Sequence, residues 1–234
     1  MMIAFHARNI QKYHDKRLIL DLDLHFSGDG LHVILGPNGC GKTSLLRLLA
    51  LMDTPDNGEI ILSENKSSLT HNQSSKQRIV LVPKPEGLFN HSVLKNIHYG
   101  LKLRSTPKQQ RIQRVSKMLE AVDLSHLKNA NALTLSSGEK QRLCMAMAMA
   151  VEPDVILLDE PTSSLDPRNV HQIEGIICKM KEEQRMIILV THNISQARRL
   201  ADTVTFMNSD NTVSQKPAKE FFETFDRDEV DGYL

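Results

Sequence analysis

A chain of 234 residues, 40% hydrophobic and 24% charged, can bury a substantial core as one large domain or one domain with a subdomain. The formal net charge of +1 gives no bulk electrostatic case for nucleic acid as a partner. Three unclustered cysteines, Cys40, Cys144 and Cys178, argue against a disulfide framework or zinc site and suit reduced thiols.

No uninterrupted apolar run approaches the roughly 20 residues a membrane helix needs. The N-terminal MMIAFHARN has no apolar secretory stretch. Any membrane role is therefore expected to come through a partner.

Strand and helix patterns alternate along the chain, which predicts a layered α/β architecture. Leu20, Leu22, Leu24 and Phe26 alternate with polar residues, as in a half-exposed strand. LHVILG (31–36) reads as a buried strand ending at glycine, and KTSLLRLLALM (42–52) as a helix. EIIL (59–62) and RIVLV (78–82) are short strands, and the serine-rich 63–76 between them reads as a surface loop. From about Val93 to Ala150 strand signals vanish. Ile112, Val115, Leu119 and Val122 fall at helical spacing, and GEKQRLCMAMAMAVE (138–152) is a second helix. A helical insertion over about 90–150 is the expectation. Strands return at VILLD (155–159), MIILV (186–190) and TVTFM (203–207), and KPAKEFFETF (216–225) reads as a last helix. No internal repeat or low-complexity tract is evident.

The strongest motif is GPNGCGKT: Gly36, Pro37, Asn38, Gly39, Cys40, Gly41, Lys42 and Thr43, with Ser44 following. It matches G-x-x-x-x-G-K-[ST] between a buried strand and a helix, the context a phosphate-binding loop requires. The glycines let backbone N–H groups face a polyphosphate, and the helix N-terminus adds its positive dipole end. Lys42 can reach the β/γ-phosphates and Thr43 can ligate Mg²⁺. Cys40 reads as a small filler in preference to a redox switch. In VILLDEP an apolar strand delivers two carboxylates to the sheet edge, where ligands bind in such sheets. Asp159 would hold Mg²⁺ through water and Glu160 would polarise the attacking water.

The segments beyond this pair carry a family resemblance. LTLSSGEKQR (133–142) resembles the signature motif, usually L-S-G-G-Q, of the ABC-type ATPases. SSLD (163–166) resembles their D-loop and VTHN (190–193) their switch histidine, and QKYHDK (11–16) places Tyr13 where they stack an aromatic on adenine. Order and spacing match over nearly the whole chain.

The resemblance implies one ABC ATPase domain over 1–234: a P-loop NTPase (RecA-like) core with an antiparallel β subdomain and the helical insertion. It implies ATP hydrolysis with Mg²⁺ in a head-to-tail homodimer, where Ser136, Ser137, Gly138 and Glu139 of one subunit complete the γ-phosphate site of the other. Glu160 and His192 would be catalytic, and Asp166 would order the interface. On its own, His192 would read as a capping or core histidine, and Tyr13 as packing.

Two positions depart from the family. Ser137 and Glu139 stand where the signature carries glycine and glutamine; Glu139 is expected to turn to the backbone or a lysine. Lys84, between Pro83 and Pro85, stands at the Q-loop glutamine. Lysine has no acceptor, and at about 5 Å from Mg²⁺ its repulsion would be about 6–7 kcal/mol at an effective dielectric of 20. It therefore points to solvent, the preferred reading, or meets the γ-phosphate with the opposite sign. Slow but present hydrolysis is expected.

With no fused membrane segment and one ATPase unit, the chain resembles the separate ATPase subunit of an importer. The implied partners are transmembrane permease subunits and, indirectly, an extracytoplasmic solute-binding protein, at the cytoplasmic face of the membrane. LLRLLALMDTPDNGEI (45–60) and THNISQARRLADTV (191–204) resemble tungstate-type oxyanion importers; phosphate or amino-acid import is the next reading. An appended regulatory domain is not expected. A regulatory or assembly module with weak hydrolysis is the alternative class.

Overall fold

The computed structural model describes residues 3–65, 67–69 and 72–224. The elements in chain order begin with β1 (Ile3–His14), β2 (Arg17–Ser27), β3 (Gly30–Leu35), α1 (Lys42–Leu49), β4 (Asn57–Glu64), β5 (Ser67–Leu69), α2 (Gln73–Gln77) and β6 (Ile79–Leu81). Then come α3 (Val93–Leu103), α4 (Lys108–Ala121), α5 (Ser137–Ala150), β7 (Val155–Asp159) and α6 (Pro167–Glu182). The last are β8 (Met186–Val190), α7 (Ile194–Leu200), β9 (Thr203–Met207), β10 (Val213–Pro217) and α8 (Ala218–Thr224). Phe225, the end of the expected last helix, lies outside the described residues.

The chain divides into two compact units. Of the described residues, one holds those in 3–81, 154–160 and 183–224; the other holds 82–153 and 161–182. The second is wider than the helical insertion expected at about 90–150, because α6 joins it.

The first unit has two sheets. An antiparallel sheet runs β2-β1-β4-β5, and a six-stranded sheet runs β10-β9-β3-β8-β7-β6. In the latter every pairing is parallel except β10 with β9. β3 and β8 sit inside this sheet and are apolar almost throughout, as a strand covered on both faces must be. On β2 the side chains of Leu20, Leu22, Leu24 and Phe26 are buried and those between them exposed, the period-2 pattern of a sheet with one wet face. They join Phe5, Ile10 and Ile60, the α1 leucines Leu45, Leu46, Leu48 and Leu49, and Leu157, Ile188 and Val190 in one core. Each of those fully buried leucines contributes about 1.5–3 kcal/mol relative to exposure.

Three local features differ from the sequence expectation. First, α1 stops at Leu49 instead of running to Met52. Leu51 takes φ 55, Met52 N donates to Arg47 O and Leu51 N to Leu48 O. This is a Schellman ending with leucine where glycine is usual, so no sequence signal marked it. Second, 63–76 is not a plain loop, since it carries β5 and the short α2. Asn72 caps α2 by accepting from Ser75 N at 3.0 Å. Third, β10 is a polar edge strand, VSQKP, whose proline is tolerated because an edge needs no further donor.

The second unit is helical. On α4, Val115 and Leu119 are buried, with Val122 just after, but Ile112 is 59% exposed and Met118 is buried instead. Fully buried Asn96 anchors the loop before α3. Its Oδ1 accepts from Phe89 N at 2.9 Å, and its Nδ2 donates to Phe89 O, His91 O and Ser92 O.

Candidate functional site

The carboxyl ends of β3, β7 and β8 bring the first unit's chemistry together. GPNGCGKT follows β3 and wraps onto α1. Gly36 has φ 153, and a Cβ there would lie 2.3 Å from Met207 O; Gly41 has φ 95, and a Cβ there would lie 2.5 Å from Leu20 Cδ2. Both positions need glycine for backbone angle and for space. A cavity of about 320 Å³ opens over this loop, lined by Asn38, Gly39, Gly41, Lys42, Thr43, Ser44, Glu160, His14 and Ile19.

Lys42 is only 5% exposed. Its Nζ donates to Gly36 O at 2.7 Å and Pro37 O at 2.8 Å. Both acceptors are neutral, and among the described residues no carboxylate pairs with this ammonium. A buried cation without a counter-charge is costly, so the loop is built to receive an anion. Gly36, Pro37 and buried Cys40 shape the loop without lining the cavity. Burial pushes the Cys40 thiol up, against the opposing pull of Lys42, which suits a filler and not a reactive thiolate.

Thr43 Oγ1 donates to Asp159 Oδ1 at 3.2 Å and Oδ2 at 3.1 Å, so the two expected metal ligands are adjacent. Glu160 sits beside them. Its backbone has φ 48, unusual for a residue with a side chain, and its N–H donates to Val190 O at 3.0 Å. Its carboxylate Oε1 lies 3.3 Å from His192 Nδ1, with 29% and 53% of the two side chains exposed.

Tyr13 lies at the end of β1. A β-bulge between Lys12 and Tyr13 resets the strand alternation. His14 lines the cavity; Tyr13 does not. Tyr13 stays 41% exposed, with its N–H donating to Asp56 Oδ2 at 2.7 Å. His14 was legible only through the turn: Asp15 and Lys16, at φ 47 and 67, make a two-residue primed turn with His14 and Arg17 as its closing pair.

The remaining candidates lie in the second unit. Ser136 caps α5 and Ser137 is its first residue, so Ser137 has helical backbone and no strain from its side chain. Glu139 Oε2 accepts from Ser136 N at 2.8 Å and from Ser136 Oγ at 2.8 Å, and Glu139 N donates to Ser136 Oγ at 3.4 Å. This capping box turns Glu139 to the backbone, and it also occupies the Ser136 hydroxyl proton. These bonds from Ser136, backbone first, hold the Glu139 carboxyl below the usual range, helped by Arg142. Asp166 Oδ1 accepts from Arg168 N and Asn169 N, each at 3.0 Å. Lys84 is exposed, and its prolines hold it extended at φ −71, ψ 152.

The profile of the ABC transporter family matches residues 19–163. The chain belongs to the ABC transporter family. Members of this family are ATPases. The phosphate import ATP-binding protein PstB 2 of Ligilactobacillus salivarius is 34% identical, covering 95% of this chain and 93% of that protein. The tungstate uptake system ATP-binding protein TupC of Peptoclostridium acidaminophilum is 36% identical over 86% and 92%. The L-cystine transport system ATP-binding protein TcyN of Escherichia coli is 34% identical over 94% and 93%. These figures do not single out the tungstate type. Among solved structures, cbiO1 of Clostridium perfringens, part of the ABC transporter complex cbiONQ, matches with TM-score 0.82 at 26% identity, covering 94% of this chain and 90% of that one. The ABC ATPase fold expected from the sequence is the fold observed. Among the described residues, no helix is long and apolar enough to cross a membrane.

Proposed function

We propose that this chain is the ATP-binding and hydrolysing subunit of an ABC importer, working with separate transmembrane permease subunits at the cytoplasmic face of the membrane. The observation that carries the reading is the buried Lys42 ammonium, bonded among the described residues to the Gly36 and Pro37 carbonyls beside a cavity over the phosphate loop. A β/γ-phosphate supplies the missing negative charge.

The donor set fits Mg²⁺, a hard cation that takes one or two protein oxygens and fills its shell with phosphate and water. Among the described residues no cluster of three or more His, Cys, Asp or Glu competes for a softer metal. Thr43 and Asp159 would hold the ion, which supplies charge neutralisation between phosphates. Lys42 and the loop amides orient the polyphosphate. Glu160, fixed by its backbone bond to Val190, accepts hydrogen-bond donation from the attacking water and polarises it. His192, touching Glu160, orients that carboxylate and faces the γ-phosphate.

Ser136 and Gly138 complete the site of a second copy in a head-to-tail dimer, with Asp166 ordering the interface. The exposed ring pair Phe89 and Tyr99, 4.6 Å apart, offers the second unit an apolar patch for the permease. The proposed cargo is a small solute delivered by an extracytoplasmic binding protein, with tungstate or a related oxyanion favoured by the resemblance of 45–60 and 191–204.

The test is phosphate release by purified protein, alone and with its captured permease. Turnover abolished by Glu160→Gln, with ATP-dependent dimer in that variant, is the expected result; no turnover in wild type under either condition refutes the reading. Affinity capture from membranes followed by an import assay identifies the cargo. A second reading, a nucleotide-switched assembly module, is favoured by Glu139 holding the Ser136 hydroxyl; ATP-driven dimerisation without matching turnover in wild type would select it.

A further inference from the structure

We propose that Asn169 is a positioning residue that locks the signature turn, Ser136–Glu139, to the loop carrying Asp166, and that position 138 is glycine because the Asn169 amide fills its Cβ space.

Gly138 is the second residue of α5 and has no positive φ. Conformational freedom therefore does not explain it, and glycine inside a helix costs about 1 kcal/mol relative to alanine. A Cβ built at Gly138 would lie 2.0 Å from Asn169 Oδ1 and 2.2 Å from its Cγ. Asn169 therefore lies against the backbone of the signature turn at a distance only glycine permits.

The amide is held from both ends. Its Oδ1 accepts from Arg142 Nη1 at 3.1 Å, and its Nδ2 donates to Asp166 Oδ2. Arg142 needs an acceptor and Asp166 needs a donor, so only one of the two amide orientations satisfies both. Arg142 itself is 7% exposed, one turn along α5 from Gly138. Its Nε donates to Val122 O at 3.1 Å and its Nη1 also to Gln172 Oε1. A buried guanidinium with its acceptors in place is rigid, and removing one acceptor is expensive. The Asn169 amide thus ties the signature turn to the Asp166 loop, with the Arg142–Gln172 bond alongside it. This role rests on the reading of Ser136 and Gly138 as the second copy's phosphate site. The geometric lock does not, and the experiment separates the two.

The experiment is a double-mutant cycle with Gly138→Ala and Asn169→Ala in the full chain. Thermal melting requires no ATP. In wild type, Gly138→Ala lowers Tm; in the Asn169→Ala background the same change raises it by about 2–3 °C, since the clash is gone and alanine favours the helix. A fall of similar size in both backgrounds overturns the proposal, whether or not the protein hydrolyses ATP. Where wild type turns over, Asn169→Ala lowers kcat about tenfold, the consequence of losing a hydrogen bond to a charged group, with KM for ATP within about twofold. An unchanged kcat in Asn169→Ala would remove the positioning role.

Discussion

Glu139→Gln should strengthen ATP-driven dimerisation. A phosphate oxygen accepting from Ser136 Oγ would sit about 2.8 Å from it, and Glu139 Oε2 lies 2.8 Å on the other side of that hydroxyl. The two anionic oxygens are then at most about 5.6 Å apart. Coulomb's law gives about 0.7 kcal/mol of repulsion per phosphate charge at the dielectric of water and about 3 kcal/mol at an effective dielectric of 20. A closing interface of the proposed dimer would exclude water, so the upper part of that range applies, and a factor of at least about ten in ATP-dependent association follows. The hydroxyl proton, now donated to the carboxylate, would also be free to turn. Glutamine keeps the capping box, so the fold is preserved. The assay is sedimentation of the Glu160→Gln protein with and without Glu139→Gln across an ATP titration. Dimerisation at the same or higher ATP with glutamine at 139 would refute the argument.

The carboxyl of Glu139 is held below its ordinary range by Ser136 and Arg142. Its stabilising contribution is therefore present above the unfolded pKa of about 4.3 and lost as pH falls through the lower folded value; wild type should lose more Tm than Glu139→Gln on acidification below about pH 4. Lys42→Met removes a buried ammonium without a carboxylate, so the nucleotide-free protein should melt at the same or a higher temperature, while the stabilisation by saturating ATP, about 2.7 kcal/mol at 100 times Kd, disappears. His14→Ala should raise KM for ATP by about three- to tenfold, the loss of one stacking contact, and Tyr13→Ala should raise it less; the reverse order would show that the hairpin rearranges around nucleotide. Lys84→Gln restores an acceptor at the Q-loop position and should raise basal turnover, read as phosphate release; no change would place the limit elsewhere.

Local pattern and long-range contact explain which of these features could be read from the sequence. The phosphate loop was legible because its chemistry is contiguous: Gly36 and Gly41 answer to neighbours such as Met207 and Leu20, but their need for unusual angles is written into the spacing itself. The alternation of Leu20 to Phe26 and the unbroken apolar runs of β3 and β8 likewise record how many faces each strand buries. Where the deciding partner is distant, the reading failed or stopped short. A bulge at Lys12 puts His14, which the sequence did not single out, on the cavity lining, and a helix end built on Leu51 left no glycine to see. Asn169 shows the same limit most fully. Alone it is an ordinary polar residue in the first turn of α6. Only the fold shows that it spans 31 positions to occupy the space of the missing Gly138 side chain. A departure from the signature pattern at 137 and 139 was visible at once, yet the residue that fixes how that turn is held lies outside the motif. In the proposed head-to-tail dimer, the strength of the second copy's phosphate site therefore depends on Glu139, Arg142 and Asn169 together, and a substitution at any one of them should be interpreted against the other two.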